Sequence, residues 1–138
     1  MERAVNYPLN WLGIFAQVEA HANDMQPQEC CGVVLVTGEV VKLDNVFEPP
    51  ELRNVRFAVD RVMLRRIDPS SILAVYHSHP NASAWPSDTD AADAATWPGK
   101  LSLIVGMKNG TAYETRVFQN RVHPATNRVM LMASQPAV

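Results

Sequence analysis

The spacing of apolar residues predicts one amphipathic helix near the start of the chain. Apolar side chains recur there at positions i, i+3, i+4, i+7 and i+11, namely Trp11, Ile14, Phe15, Val18 and Ala22. In an α-helix this spacing places all of them on the face that packs against a core. We expect the helix to open near Pro8 and to give way to a loop that contains Pro27.

Shorter apolar runs farther along the chain predict strands. The predicted strands cover residues 30–36, 40–46, 72–76, 101–105 and 111–118. Turn signals at Gly38 and Gly110 join the first two and the last two of these runs into hairpins. The middle run is fully apolar and leads directly into His77, which indicates a buried strand.

Two further helices are predicted between the strands, over residues 60–67 and 87–96. The second opens with Ser87 and acidic residues, a pattern typical of a capped helix start. After about residue 120 the chain turns polar, and we expect an irregular tail. The order helix, hairpin, helix, strand, helix, hairpin predicts an α+β fold, a mixed α/β sandwich.

The composition and charge of the chain exclude several classes of partner. Its 138 residues are 47% hydrophobic and 19% charged, which is ordinary for one globular domain, expected over residues 1–138. The formal net charge is −2 and the sequence contains no basic run, so it does not predict a basic surface for nucleic acid or an anionic membrane. The longest apolar runs are too short to cross a bilayer.

The cysteines indicate a reducing compartment. Cys30 and Cys31 are adjacent, and neighbouring cysteines rarely form a disulfide with each other. We expect them to be small buried residues on opposite sides of a strand rather than nucleophiles. Residues 1–10 contain no apolar signal segment. A cytoplasmic protein is the resulting expectation.

The segment from His77 to Asp90 carries the most informative chemistry. His77 and His79 are two residues apart at the end of a predicted strand, so both side chains point the same way. Asp90 lies in the first turn of the helix predicted to follow. Two imidazoles and one carboxylate fill three positions of a tetrahedral Zn²⁺ and leave the fourth for water, which is the pattern of a catalytic zinc site.

A zinc-bound water also needs a proton acceptor, usually a carboxylate that does not bind the metal. Glu29 precedes an apolar strand and is a candidate for this role. Distance along the sequence does not by itself distinguish it from Glu19 or Glu39.

These residues resemble the signature of the JAMM (MPN-plus) zinc metallopeptidases. That signature is a glutamate, then His-Ser/Thr-His-Pro, six residues, a serine, two residues and an aspartate. The chain matches it with Glu29, His77-Ser78-His79-Pro80, Ser87 and Asp90. The similarity extends from the first helix through Phe118 and is closest to the small single-domain members of bacteria and phages.

The resemblance implies a fold and a set of roles. The fold would be cytidine-deaminase-like, with a central, mostly antiparallel sheet flanked by helices. His77, His79 and Asp90 would bind one Zn²⁺ with its water. Glu29 would be the general acid/base, and Ser87 would stabilise the tetrahedral oxyanion.

The implied reaction is hydrolysis of an amide or isopeptide bond. The expected partner is a protein substrate with an extended C-terminal tail, such as a ubiquitin-like or sulfur-carrier protein. A phage tail-assembly or cell-wall-associated peptidase component is one alternative. A non-catalytic MPN-type interaction module is an alternative from another class, although such relatives lack the metal ligands. A zinc deaminase would need a Pro-Cys-x-x-Cys element, which this sequence lacks.

Several side chains have two interpretations. Ser87 either caps a helix or acts on the substrate. Trp85 either lines the substrate groove or anchors its loop on the core. Asp93 is a surface charge or a hydrogen-bond acceptor for a ligand histidine. His21 is expected on the helix surface.

Overall fold

A computed structural model describes residues 9–136. In chain order its elements are α1 (Trp11–Met25), β1 (Cys31–Leu35), β2 (Val40–Leu43), α2 (Arg61–Leu64), β3 (Ile72–His79), α3 (Asp88–Ala94), β4 (Leu101–Lys108), β5 (Thr111–Val122) and β6 (Val129–Ala133). Helix α1 begins after Asn10, whose side chain accepts a hydrogen bond from the Gly13 N–H. Pro8, the predicted opening of this helix, lies outside the described residues.

The six strands form one sheet in the order β2-β1-β3-β4-β5-β6. Every neighbouring pair is antiparallel except β3 and β4, which are parallel. The mostly antiparallel sheet of an α+β fold is therefore confirmed. A parallel pair needs a crossover connection, and here the crossover contains α3. This places the end of β3 and the start of α3 at the same end of the sheet.

The sheet buries both of its faces. Helix α1 covers one face with the apolar residues predicted for it, among them Trp11, Ile14 and Val18. The other face packs against residues that include Leu64 of α2 and Trp97 after α3. Side chains alternate between faces along a strand. The adjacent thiols accordingly separate, Cys30 into the first core cluster and Cys31 into the second.

Two expectations differ from the structure. The tail beyond residue 120 is not irregular, because β5 continues to Val122 and β6 pairs with it from Val129 onward. Strand β6 is an edge strand with no fully buried residue, and its short apolar run, Val-Met-Leu-Met-Ala, follows the mostly polar residues 119–128. His21 is buried in α1 rather than exposed, since its ring Nδ1 lies 2.7 Å from the Tyr76 hydroxyl.

Within residues 9–136, no helix combines the length and apolar character needed to span a membrane.

Candidate metal centre

Strand β3 delivers two histidine side chains to one point. His77 and His79 are two residues apart on this strand, and their Nε2 atoms lie 3.3 Å from each other. The ring of His77 stacks on Phe57, with the ring centroids 4.6 Å apart. Both side chains are mostly buried, so their orientation is fixed by packing.

Helix α3 supplies the carboxylate. Asp90 reaches back so that its Oδ2 accepts from the Ser87 N–H, while the Ser87 hydroxyl accepts from the Asp90 N–H, forming a capping box. The same carboxylate places Oδ1 3.0 Å from His77 Nε2 and Oδ2 2.9 Å from His79 Nε2. The capping box therefore fixes Asp90 in the position where it meets both histidines.

The donor set of these three residues fits a metal ion. The Nδ1–H of His79 donates to the Ser83 carbonyl oxygen at 2.8 Å, which leaves Nε2 as the remaining ring nitrogen. This nitrogen faces a carboxylate, so a proton or a metal cation must lie between the two. Two nitrogens each about 2.0–2.1 Å from a tetrahedral zinc lie about 3.3–3.4 Å apart. The observed Nε2 separation of 3.3 Å matches that spacing, and the three ligand atoms all lie within 4.8 Å of one another.

The electrostatics of the cluster agree with a cation site. Burial alone would raise the pKa of Asp90, but the hydrogen bonds from His77 and His79 hold it well below its usual range. Burial alone would lower the pKa of His79, and the bonds to Asp90 and the Ser83 carbonyl raise it instead. Both shifts show that the cluster strongly favours a positive charge beside the Asp90 carboxylate.

Glu29 lies next to this cluster. Strands β1 and β3 pair Cys31 with His77, and continuing that register by two residues brings Glu29 opposite His79. The side chain is buried, with 5% of its surface exposed. Burial raises the pKa of Glu29 to about 8, and the neighbouring Asp90 also raises it, whereas His79 lowers it. A bound divalent cation would act against burial and lower the pKa of Glu29. Of the candidate carboxylates, Glu19 instead bonds the hydroxyl of Thr115.

A cleft of about 730 Å³ opens beside the cluster. Its walls come from the segments 26–29, 54–57 and 79–82 and from the start of α3. Glu29, His79, Asp90 and Ser87 all line it. The size falls within the range of about 300–1,000 Å³ that small-ligand sites occupy. The cleft thus brings Glu29, His79, Ser87 and Asp90 together on one surface, while His77 lies buried behind them.

The two interpretations of Ser87 are compatible. A hydroxyl offers one O–H donor and two acceptor lone pairs. The cap uses a lone pair, because Ser87 Oγ accepts from the Asp90 N–H at 3.1 Å. Its O–H remains available to donate into the cleft. The residue can therefore cap α3 and stabilise an oxyanion at the same time.

Trp85 and Asp93 do not touch the ligands. Trp85 lies outside the cleft, with its ring edge against Phe118 and the Arg116 guanidinium 4.4 Å from its centroid, so it anchors the loop. Asp93 lines the cleft, and burial raises its pKa. Among residues 9–136 it accepts no hydrogen bond from His77, so it does not orient that ligand.

Sequence reasoning missed Asn45, which holds the backbone that carries Glu29. Its Nδ2 donates to the carbonyl oxygens of Glu29 at 3.0 Å and Arg56 at 3.1 Å. Its Oδ1 accepts from the Phe47 and Ala58 N–H groups at 3.1 and 3.2 Å. Asn45 therefore joins the two segments that form one wall of the cleft. The one amide side chain in the predicted strand 40–46 is a weak signal for it, because Lys42 and Asp44 make this segment polar as well.

The chain matches the family model described as prokaryotic homologs of the JAB domain over residues 13–121. None of the curated proteins matches it. The solution structure of a protein from Desulfitobacterium hafniense is similar, with a TM-score of 0.66, 22% identity, and coverage of 94% of this chain and 90% of that chain. A protein from Salinibacter ruber has a TM-score of 0.55 at 23% identity, covering 91% and 88% of the two chains. These likenesses support the fold.

Proposed function

The chain belongs to the prokaryotic homologs of the JAB domain, and on that premise we propose that it is a zinc-dependent peptidase or isopeptidase. His77, His79 and Asp90 would hold the ion, Glu29 would act as general acid/base, and Ser87 would stabilise the oxyanion. The wider JAB family includes metallo-isopeptidases, and the His-His-Asp cluster resembles their metal site.

The observation that carries the proposal is the state of His79. Its Nδ1–H is committed to the Ser83 carbonyl, so its Nε2 faces the Asp90 carboxylate at 2.9 Å and is the ring nitrogen left to bind a metal ion in place of a proton. Ligand histidines commonly donate their other ring N–H in this way. Among the residues that the structure describes, three protein ligands gather at this point, which is the number that a catalytic zinc site uses.

The protein groups around the ion divide the chemistry between them. A bound zinc ion would supply Lewis-acid polarisation of the scissile carbonyl and lower the pKa of water. Glu29 would accept the proton of the attacking water and return it to the leaving amine. Its buried carboxylate lines the cleft beside the metal-ligand candidates, where it can reach a water bound at that point. The Ser87 O–H would donate to the developing oxyanion.

The form of the cleft favours an extended substrate. The metal cluster lies at the end of the sheet, between the wall formed by residues 54–57 and the loop that begins at Pro80. A scissile bond can reach this position as an extended segment, and folded proteins expose such segments at their tails. We therefore propose cleavage at the C-terminal tail of a ubiquitin-like or sulfur-carrier protein. Two free, buried cysteines fit activity in a reducing cytoplasm.

The test compares two substrates on the zinc-loaded protein. One is a ubiquitin-like or sulfur-carrier protein with a C-terminal extension, and the other is a peptidoglycan stem peptide. We expect cleavage of the first, its loss with a chelator, and recovery on adding zinc. Cleavage confined to the stem peptide would move the assignment to cell-wall or phage-entry chemistry. Zinc binding without hydrolysis of any peptide bond would favour an interaction module.

A further inference from the structure

One row of residues crosses three strands at the end of the sheet that carries the metal cluster. His79 of β3 pairs with Gly106 of β4, and Gly106 pairs with Glu114 of β5. Side chains of paired residues stand on the same face of a sheet. The row therefore consists of a metal-ligand candidate, a position without a side chain, and a carboxylate.

The loop between the ligands passes over the empty middle position. A Cβ atom at Gly106 would lie 2.7 Å from the Ala84 nitrogen, 3.1 Å from the Ser83 carbonyl carbon and 3.2 Å from Glu114 Cγ. These distances are too short for a side chain, and two of the three atoms belong to backbone. The peptide group that joins Ser83 to Ala84 therefore lies directly over Gly106, and only glycine leaves room for it.

That peptide group is hydrogen-bonded at both ends. Its N–H, from Ala84, donates to Glu114 Oε2 at 3.1 Å. Its carbonyl oxygen, from Ser83, accepts from His79 Nδ1–H at 2.8 Å. A continuous path thus runs from the Glu114 carboxylate through one peptide to the ring of His79.

We propose that Glu114 is a positioning residue that acts on His79 through this peptide. Metal-binding histidines often donate to a carboxylate, which fixes the tautomer and makes the metal-binding nitrogen more basic. Here the carboxylate accepts from the peptide N–H, which polarises the amide and makes its carbonyl oxygen a stronger acceptor for Nδ1–H. The carboxylate of Glu114 therefore orients the ring and strengthens Nε2 as a ligand without touching it.

The surroundings of Glu114 hold it in place for this role. Arg116 Nη2 lies 3.2 Å from Glu114 Oε1, so each carboxylate oxygen has its own partner. The Arg116 guanidinium in turn stacks over Trp85, 4.4 Å from the ring centroid. Trp85 belongs to the same loop as the bridging peptide. The stacking of Arg116 on the half-exposed Trp85 thus holds the loop close to the peptide that Glu114 hydrogen-bonds.

The inference rests on the proposed zinc site, and zinc affinity tests it without using activity. Glu114→Gln keeps an oxygen that can accept from Ala84 N–H but removes the charge, whereas Glu114→Ala removes the acceptor. Glu39→Gln, in the exposed turn between β1 and β2, is the matched control. Competition with a chromophoric chelator gives the Kd for zinc. The proton resonance of His79 Nδ1–H in the zinc-loaded protein reports the strength of its hydrogen bond.

We expect Glu114→Ala to weaken zinc binding by about 10- to 100-fold, the usual cost of removing a group that supports a ligand histidine. We expect Glu114→Gln to weaken it by about threefold to tenfold, because it keeps the hydrogen bond and loses only the charge. In both variants the His79 proton should move upfield, and the Glu39→Gln control should match the wild type. If Glu114→Ala does not fold, Glu114→Gln carries the test.

Three outcomes would overturn the inference. The first is a Kd for zinc within about twofold of the wild type in Glu114→Ala, which would show that Glu114 does not support His79. If only Glu114→Gln folds, the same result in that variant decides. A loss of affinity without a shift of the His79 resonance would limit Glu114 to loop folding. A wild-type chain that binds no zinc would remove the proposed function as well, so the two failures are distinguishable.

Discussion

Two glutamates flank His79 on opposite sides, and their environments differ. Glu29, opposite His79 where β1 begins, is buried and lines the cleft with the metal-ligand candidates. Glu114, two strands away on β5, is partly exposed, pairs with Arg116 and reaches His79 only through a peptide. The first lines the cleft, and the second is not among the residues that line it.

The comparison teaches that two residues of the same type can differ in role because their surroundings differ. Burial raises the pKa of Glu29 to about 8 in the metal-free chain, and the side chain lines the cleft. Glu114 has one carboxylate oxygen on Arg116 and the other on the Ala84 N–H, which suits a fixed acceptor. We therefore expect Glu29 to control turnover and Glu114 to control metal affinity.

The largest expected effect is a loss of turnover, and it tests the role of Glu29. Glu29→Gln preserves the shape of the side chain but cannot accept a proton, so turnover should fall by about 10³- to 10⁴-fold while zinc stays bound. Steady-state kinetics and metal content, measured on one preparation, provide the check. Loss of zinc together with activity would show that Glu29 is a ligand and would reverse the roles given to the two glutamates.

The next effect concerns Ser87, which shares the cleft with Glu29. Ser87→Ala removes the proposed oxyanion donor and the cap of α3, so turnover should fall by about 10²-fold and stability by about 1 kcal/mol. Asp60→Ala is the matched control, because Asp60 caps α2 with the same kind of bond and lies outside the cleft. It should lose similar stability and keep full activity. Equal activity in the two variants would leave Ser87 as a cap alone.

The raised pKa of Glu29 also predicts a pH dependence of stability in the metal-free protein. Its folded pKa of about 8 lies above the ordinary value of 4.5, so between these values the unfolded chain loses a proton that the folded chain keeps. The free energy of unfolding should therefore fall as pH rises through this window, by on the order of a few kcal/mol. The charged groups that act on Glu29 are His79, Asp90, Asp93 and Arg56.

The Glu29→Gln variant isolates this contribution, because the other groups titrate in both proteins. Denaturant unfolding with a chelator present, at pH 5 and pH 8, should show a smaller loss of stability in the variant than in the wild type. Glu39→Gln is the control and should follow the wild type. Parallel pH profiles for Glu29→Gln and the wild type would mean that Glu29 is not desolvated.

The smallest expected effects come from two glycines, and they test whether the peptide between Glu114 and His79 matters. A Cβ at Gly32 would lie 2.4 Å from the buried Tyr76 ring, whereas at Gly106 it would meet the Ala84 nitrogen. Gly32→Ala should lower the free energy of unfolding by about 1–3 kcal/mol and spare the zinc affinity of the folded chain. Gly106→Ala should lower both, since it displaces the peptide that holds His79. Denaturant unfolding measures the stability of each variant, and chelator competition measures its zinc affinity. Equal zinc affinities in Gly32→Ala and Gly106→Ala would show that the peptide does not support His79.

Local patterns predicted most of the fold. The helical spacing around Trp11, the turn at Gly110 and the apolar run before His77 each correspond to an element of the structure. Strand β6 was missed because the mostly polar residues 119–128 indicated an irregular tail, although the apolar run Val129–Ala133 follows them. His21 was misplaced because its partner, the Tyr76 hydroxyl, is 55 residues away, and a distant partner leaves no local pattern.

In the candidate site, too, the residues found from the sequence are those with a local pattern. His77, His79 and Asp90 follow from strand alternation and a helix cap, both of which are local. Glu29 needed a family resemblance, because only the register of β1 against β3 brings it to the histidines. Glu114 could not be found, since its link to His79 depends on a parallel strand pair and on the path of a loop.

The most direct test of the account is zinc stoichiometry in a pair of aspartate variants. Asp88 and Asp90 both lie in the first turn of α3, but only Asp90 faces the histidines. Elemental analysis after refolding with zinc should find about one equivalent in the wild type and in Asp88→Ala, and less than about a tenth in Asp90→Ala. A wild type without zinc, or an Asp90→Ala variant that retains a full equivalent, would contradict the metal centre from which every other role was argued.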